Sequence, residues 1–175
     1  MDITHGTATG QTELWNGVAG RAWVEAQVLV DRTYKPMEDL LIEAVAGSRG
    51  RVLDVGCGTG STTLAAARRL GAKADCVGID VSEPMIAAAR ARARREGTPA
   101  TFIRADAQSH AFERASVETI ISRFGVMFFD DPVSAFGNLR RAARDEADLR
   151  MIVWRSAVEN PFMTTAERAA APLLP

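Results

Sequence analysis

Three glycines at alternate positions, Gly56, Gly58 and Gly60, follow the apolar stretch Val52-Leu53-Asp54-Val55. A loop of this kind turns sharply and offers bare backbone to a ligand. The segment after it is spaced as a helix, whose first turn carries unpaired N–H groups. Two ligand-binding spacings compete for the loop. A dinucleotide loop needs G-x-G-x-x-G/A, the last position letting helix pack on strand. Counted from Gly56 that position is Ser61, so the match fails by one residue. The other spacing, acid-x-Gly-x-Gly-x-Gly, is completed by Asp54. A carboxylate beside the loop repels a pyrophosphate and suits a ligand that carries an ammonium group. It also serves as a plain brace for the loop backbone, and the two roles are compatible. Cys57, between two of the glycines, supplies the small side chain that the turn requires.

Further chemistry sits at the ends of later apolar runs. Val77-Gly78-Ile79 ends at Asp80, 24 residues after Gly56. An acid here can accept two hydrogen bonds from ribose hydroxyls, or it can favour the helix that starts beyond Ser82. Met85, on that helix, can cover one face of an adenine ring or pack in the core. Phe102-Ile103-Arg104 leads to Asp106 and Ala107. The Asp106 carboxylate can accept from an adenine amino group and the Ala107 N–H can serve a ring nitrogen; a loop-capping Asp is the alternative. Ser122 and Arg123 end the fourth run at the same edge.

These residues need a scaffold, and the sequence predicts one. Apolar runs at 51–55, 76–79, 101–103, 117–121 and 149–154 alternate with helical spacing at 62–70, 83–96 and 132–144. Ser82 before Glu83-Pro84 and Asp131 before Pro132 read as N-caps followed by a first-turn proline. Gly71 and Gly97 read as helix stops. Residues 105–116 read as loop. Strand–helix alternation predicts an α/β fold, a Rossmann-like, doubly wound and mostly parallel sheet with helices on both faces. Ligands then bind outside the carboxyl ends of the strands, where the candidate residues lie. Ahead of the first run, residues 1–12 are polar and expected to be mobile, 17–34 form one helix, and Met37 to Val45 a second, separated from the first by Pro36.

Composition sets outer bounds. The chain has 175 residues, 47% hydrophobic and 25% charged, with net charge -1. That fits one globular domain and supplies no general field for nucleic acid or an anionic membrane. No basic-then-apolar leader opens the chain and no apolar run is long enough to span a membrane, so a cytoplasmic setting is expected. Cys57 and Cys76 match no metal spacing, and no metal is expected. The run Arg90 to Arg95 is expected to form a solvated helix face.

Together, Val52 to Gly60, Gly78 to Met85, Arg104 to Ala107 and Ser122 to Asp131 resemble class I S-adenosylmethionine-dependent methyltransferases. The closest resemblance is to the small-molecule branch known as type 11, or ubiquinone/menaquinone-biosynthesis-like. Trp15-Asn16-Gly17 and Gly20-Arg21-Ala22-Trp23 resemble that branch's N-terminal helical segment. The resemblance covers residues 13–163 and implies S-adenosylmethionine as cofactor and a small-molecule acceptor, with residues 1–50 as a helical lid and 51–175 as the cofactor domain. It implies that Asp54, Gly56, Gly58 and Gly60 line the methionine end, that Asp80 holds the ribose and that Met85 lies by adenine. It further implies that Asp106 and Ala107 bind the adenine edge and that Ser122 and Arg123 close the methionine side, mostly through backbone. Cys57 and Ser82 lie within the same stretches and join the cofactor set.

Two departures stand out. Arg144-Asp145-Glu146-Ala147-Asp148 replaces the family's Pro-Gly-Gly turn before the fifth strand. The family's final antiparallel hairpin has no counterpart before Pro175, which leaves an uncovered edge through which copies of the chain could associate. No general base is identified; His5, Tyr34, His110 and Asp130 are the candidates. Trp15, Trp23 and Trp154 are candidate walls of an acceptor pocket. Three functions are carried forward: a methyltransferase acting on a small organic acceptor by in-line displacement, a truncated non-catalytic cofactor-binding domain, and a nicotinamide-dependent oxidoreductase.

Overall fold

The computed structural model describes residues 8–73 and 75–173. His5 lies outside the described residues. Five strands form one parallel sheet in the order β3-β2-β1-β4-β5: β1 Arg51–Val55, β2 Asp75–Asp80, β3 Thr101–Arg104, β4 Val117–Arg123 and β5 Ala143–Ile152. Strand order reverses between β1 and β4, which is where an open α/β sheet forms its ligand crevice.

Four helices precede the sheet: α1 Ala8–Asn16, α2 Val18–Glu25, α3 Gln27–Thr33 and α4 Lys35–Ala44. The helix expected over 17–34 is thus interrupted at Ala26. The arrival of Pro36 ends α3 at Thr33, because proline has no N–H for the Arg32 carbonyl and its ring clashes there. Part of the stretch expected to be mobile is helix α1. Tertiary bonds account for its order: Asn16 Nδ2 donates to the Val81 carbonyl at 3.1 Å, the Glu83 N–H donates to Asn16 Oδ1 at 2.9 Å, and the Ser82 hydroxyl donates to the Trp15 carbonyl at 2.6 Å.

The remaining helices are α5 Ser61–Leu70, α6 Glu83–Glu96, α7 Pro132–Ala142 and α8 Pro161–Ala170. Ser82 and Asp131 cap α6 and α7 as expected, accepting from the Met85 and Ser134 N–H groups. Alternation along the strands divides the core in two. Val52, Cys76, Phe102 and Ile121 pack with Leu41, Leu64, Ile86 and Ala89 from α4, α5 and α6. Leu53, Val77, Ile79 and Ile120 face the other way, against Leu139 and Ala142 of α7. Helices therefore cover both faces, as expected.

The segment 144–148, expected to precede the fifth strand, lies within β5, which starts at Ala143. Val117 pairs with Ala143 but Thr119 pairs with Asp148, so residues 144–147 bulge out of the ladder, with Glu146 at φ 62. Arg92 and Arg90 depart from the expected solvated face. Arg92 is buried, paired with Asp31 of α3 at 2.8 Å and donating to the Thr59 carbonyl at 3.0 Å. The Arg90 guanidinium donates to the Phe102 carbonyl. Among the described residues, no helix is long and apolar enough to cross a membrane and no cluster of ligating side chains could hold a metal.

Candidate active site

Loops leaving the carboxyl ends of all five strands meet α1, α2 and Tyr34, between α3 and α4, around one cavity of about 210 Å³. One water needs about 10–15 Å³, so this space takes a ligand. The glycine loop forms its floor. Gly56 and Cys57 donate to the Ile79 carbonyl at 2.9 and 3.1 Å. Gly56, at φ 68, nearly touches the loop after β4: a Cβ there would stand 2.4 Å from the Gly125 Cα. Gly60, at φ 85, meets Ala89 and the Phe102 ring, where a Cβ would stand 2.9 Å from each. These two glycines are required by backbone approach and by helix packing respectively.

Asp80 links this loop to the next. Its Oδ2 accepts from the Gly58 N–H at 2.8 Å and its Oδ1 from the Ser82 N–H at 2.9 Å. Each oxygen keeps a lone pair for a further donor. Burial pushes the Asp80 carboxyl up from the usual range, against the pull of those two N–H groups. Beyond β3, Asp106 Oδ1 accepts from the Gln108 N–H at 2.8 Å, leaving Oδ2 available to a ligand. Met85 is 3% exposed, and its sulfur faces Gly58.

Of the cofactor residues expected from sequence, Gly56, Cys57, Gly58, Asp80, Met85, Asp106, Ala107 and Arg123 line this cavity together. Asp54, Gly60, Ser82 and Ser122 stand behind its wall. Asp54 is 1% exposed and accepts from the Thr63 hydroxyl at 2.6 Å. Burial pushes its carboxyl up to about 6, opposed by that hydrogen bond and by Arg123. The Ser122 hydroxyl donates to the Val55 carbonyl at 2.7 Å and accepts from the Val126 N–H, which ties the loops after β1 and β4. Burial holds the Cys57 thiol well above its ordinary range and pushes Cys76 up to about 11, so both stay protonated.

Of the candidate bases, Tyr34 and Asp130 line the cavity, and so do Trp15, Trp23 and Trp154. His110 does not; its ring packs edge-on against Phe112. Sequence reasoning missed Phe124, Phe128 and Phe129 as cavity residues. Their signal was the apolar run 124–129, which follows a strand and is too short for a helix of its own. It also missed Gln11 and Thr12 on α1.

The methyltransferase-domain family model matches residues 52–146, which contain the glycine loop, Asp80 and Asp106. The chain belongs to this methyltransferase family. Nocamycin O-methyltransferase of Saccharothrix syringae is 30% identical over 115 residues, 65% of this chain and 41% of its own length. Demethylmenaquinone methyltransferase of Thermus thermophilus is 35% identical over 91 residues, 52% of this chain and 41% of its own. An uncharacterised Mycobacterium tuberculosis protein is 30% identical over 128 residues. The chain spans 46% of that relative's length, about half. The fold matches that of an Aquifex aeolicus SAM-dependent methyltransferase, with TM-score 0.63 and 22% identity, covering 74% of this chain and 77% of that one. It also matches plantazolicin methyltransferase BpumL bound to SAH, with TM-score 0.69 and 19% identity, covering 87% and 60%.

S-adenosylmethionine is the cofactor of the family, and the donor and acceptor set of this site suits it. Carboxylates with free lone pairs stand after β2 and β3, bare backbone stands after β1, and the one cation lining the cavity among the described residues, Arg123, stands after β4.

Proposed function

We propose that the chain binds S-adenosylmethionine in this cavity and transfers its methyl group to a small organic acceptor. The observation that carries the reading is Asp80, which braces the glycine loop through the Gly58 N–H and still has acceptor capacity for a ribose diol. In this reading Asp106 and the Ala107 N–H take the adenine edge, and the loop from Gly56 to Gly58 takes the methionine part. Asp54, buried behind the loop with a raised pKa, gains from a nearby ammonium, which favours its charged form. The N-terminal helices serve as the lid.

When bound, the cofactor supplies a methyl group already activated on a sulfonium. The residues of the chain then have to hold the acceptor in line with the sulfur–methyl bond and exclude water. Aromatic side chains from α1, α2 and the loops after β4 and β5 suit that exclusion. Tyr34, one of the candidate bases, lines the cavity in ring contact with Phe124 and Trp154.

Thermal unfolding with S-adenosylmethionine, S-adenosylhomocysteine and NAD tests the binding. At about 100 times Kd a ligand adds roughly 2.7 kcal/mol, a shift of about 5–10 °C. The expected result is a shift with the first two and none with NAD, followed by transfer of labelled methyl to members of an acceptor panel. A shift with NAD alone would replace the reading with the oxidoreductase. Cofactor binding with no transfer to any acceptor would leave a non-catalytic binding domain.

A further inference from the structure

The lining of the cavity changes from one end to the other, and its charge is divided. In the sheet order β3-β2-β1-β4-β5, the loops after β3, β2 and β1 hold the three residues groups assigned above to adenine, ribose and methionine. The lining carboxylates collect towards that side: Asp80, Asp106 and Asp130, the last next to Asp131, whose N–H donates to Gln108 at 2.9 Å. Past β1 the lining changes character. Arg123, Phe124 and Trp154 follow β4 and β5, and Tyr34 reaches over them from the junction of α3 and α4.

The rings there form a fixed wall. Phe124 and Trp154 stack with centroids 4.8 Å apart and planes 7° off parallel, and Tyr34 meets them edge-on at 5.2 and 6.3 Å. Phe124 adopts φ 71, a left-handed conformation that is costly for an aromatic residue. Its N–H donates to the Ile152 carbonyl at 2.8 Å, and the close approach of Gly56 to Gly125 follows directly. The strain is thus held by β5 on one side and the glycine loop on the other, and it fixes the ring beside Trp154.

Arg123 is the cation of this wall. Its Nη2 donates to the Ser61 hydroxyl at 2.9 Å and its Cζ lies 5.7 Å from the Tyr34 ring centroid. Its Nη1 is buried with no hydrogen-bond partner, and no carboxylate forms an ion pair with it among the described residues. Glu38 and Asp54 are close enough to act on the same group electrostatically, but both are buried and neither lines the cavity. A guanidinium that lines a cavity and has donor capacity left over favours an anion. Flat rings around it favour a flat ring.

We propose that the β4–β5 end of the cavity binds a planar aromatic acceptor bearing an anionic group, with Tyr34, Phe124 and Trp154 against the ring system and Arg123 against the charge. The proposal rests on the reading that the glycine-loop end holds S-adenosylmethionine. An aromatic acid or an acidic phenol meets the description; a neutral or aliphatic acceptor does not.

Calorimetric titration of the chain saturated with S-adenosylhomocysteine tests it, with 2-naphthoate, its methyl ester and cyclohexanecarboxylate as probes. The naphthoate is expected to bind about tenfold more tightly than either of the others, the ratio of one charge-assisted contact. Arg123→Gln is expected to bring naphthoate down to the level of the ester and leave the ester unchanged. Trp154→Leu is expected to weaken naphthoate and ester alike. Equal binding of acid and ester to the unaltered chain overturns the proposal, as does saturation by S-adenosylhomocysteine with no binding of any ring compound. Loss of S-adenosylhomocysteine binding in Arg123→Gln with the acid-to-ester ratio unchanged also overturns it, and assigns Arg123 to the carboxylate of the cofactor. If Arg123→Gln does not fold, the selectivity of the unaltered chain decides alone. Failure to bind S-adenosylhomocysteine at all is a different outcome and removes the cofactor reading beneath it.

Discussion

Strand β1 is buried from Val52 to Val55 and has partners on both sides, whereas β5 pairs on one side only and is exposed along most of its length. Both lead to loops that line the same cavity. The loop after β1 is held by backbone: Gly56 and Cys57 bond to Ile79, and Gly58 bonds to Asp80. The wall beyond β5 is held by side chains, with Trp154 stacked on Phe124. In the proposed reading, the difference separates the end that holds the cofactor from the end that holds the acceptor. Backbone contacts around β1 tolerate few residue types, so the cofactor end is constrained. Ring contacts on an edge strand can be exchanged, so the acceptor end is free to vary.

The sharpest way to break this comparison is to add one carbon to the loop after β1 and see whether it yields. Gly56→Ala puts a Cβ 2.4 Å from the Gly125 Cα at φ 68. Neither neighbour is a flexible side-chain end, so the loops must separate. Left-handed strain and overpacking together cost about 3–4 kcal/mol. Urea unfolding is expected to show that loss, with Tm lower by about 10 °C. A loss below 1 kcal/mol would mean the two loops part easily and the cofactor end is no stiffer than the acceptor end.

The same contrast governs what could be read from the sequence. Asp106 and the caps Ser82 and Asp131 were legible because each acts within a few residues of its own position, and the glycine loop and Asp80 because their spacing along the chain is itself a pattern. The alternation of runs and helices gave the sheet for the same reason. The break at Ala26, the helix at 8–16 and the burial of Arg92 were not legible. The last two depend on partners far along the chain: Val81 and Ser82 for α1, Asp31 and Thr59 for Arg92. The aromatic wall is the extreme case, since the rings of Tyr34, Phe124 and Trp154 meet from positions up to 120 residues apart. The four expected residues that stand behind the cavity, Asp54, Gly60, Ser82 and Ser122, have a shared explanation. Spacing identifies which loop a residue builds, but not which side of that loop it faces.

Asp54 offers a second, smaller test of the stiff end. Its folded pKa of about 6 lies above the unfolded value of about 3.9. Between those values the folded state binds more protons, so stability falls as pH rises from about 4 to about 6 and stays lower above. The difference corresponds to up to about 3 kcal/mol at 1.36 kcal/mol per pKa unit. Asn cannot titrate, and its side-chain oxygen can still accept from the Thr63 hydroxyl. Asp54→Asn is therefore expected to gain on the unaltered chain by up to about 3 kcal/mol between pH 4 and pH 7.5, measured by urea unfolding without ligand. In the proposed reading it also weakens cofactor binding, a trade of stability for function at one buried carboxylate. A stability difference independent of pH would show that Asp54 is charged in the fold at no cost.

The mirror experiment on β5 has the smallest expected effect and the opposite sign. Glu146 sits in the bulge between the two registers of β5, at φ 62, exposed. Its backbone region is the one Gly56 occupies, but it carries a full side chain there. Relief of left-handed strain is worth about 1–2 kcal/mol, and the greater freedom of glycine in the unfolded chain takes back about 0.4–1 kcal/mol. Glu146→Gly is thus expected to raise stability by about 0.5 kcal/mol, a Tm gain of roughly 1–2 °C. Positive φ would then be a requirement in the loop after β1 and an unrelieved strain in β5. A loss above 1 kcal/mol instead would mean that the Glu146 side chain anchors the bulge, and that the acceptor side of the sheet is fixed at its edge as firmly as the cofactor side is at its centre.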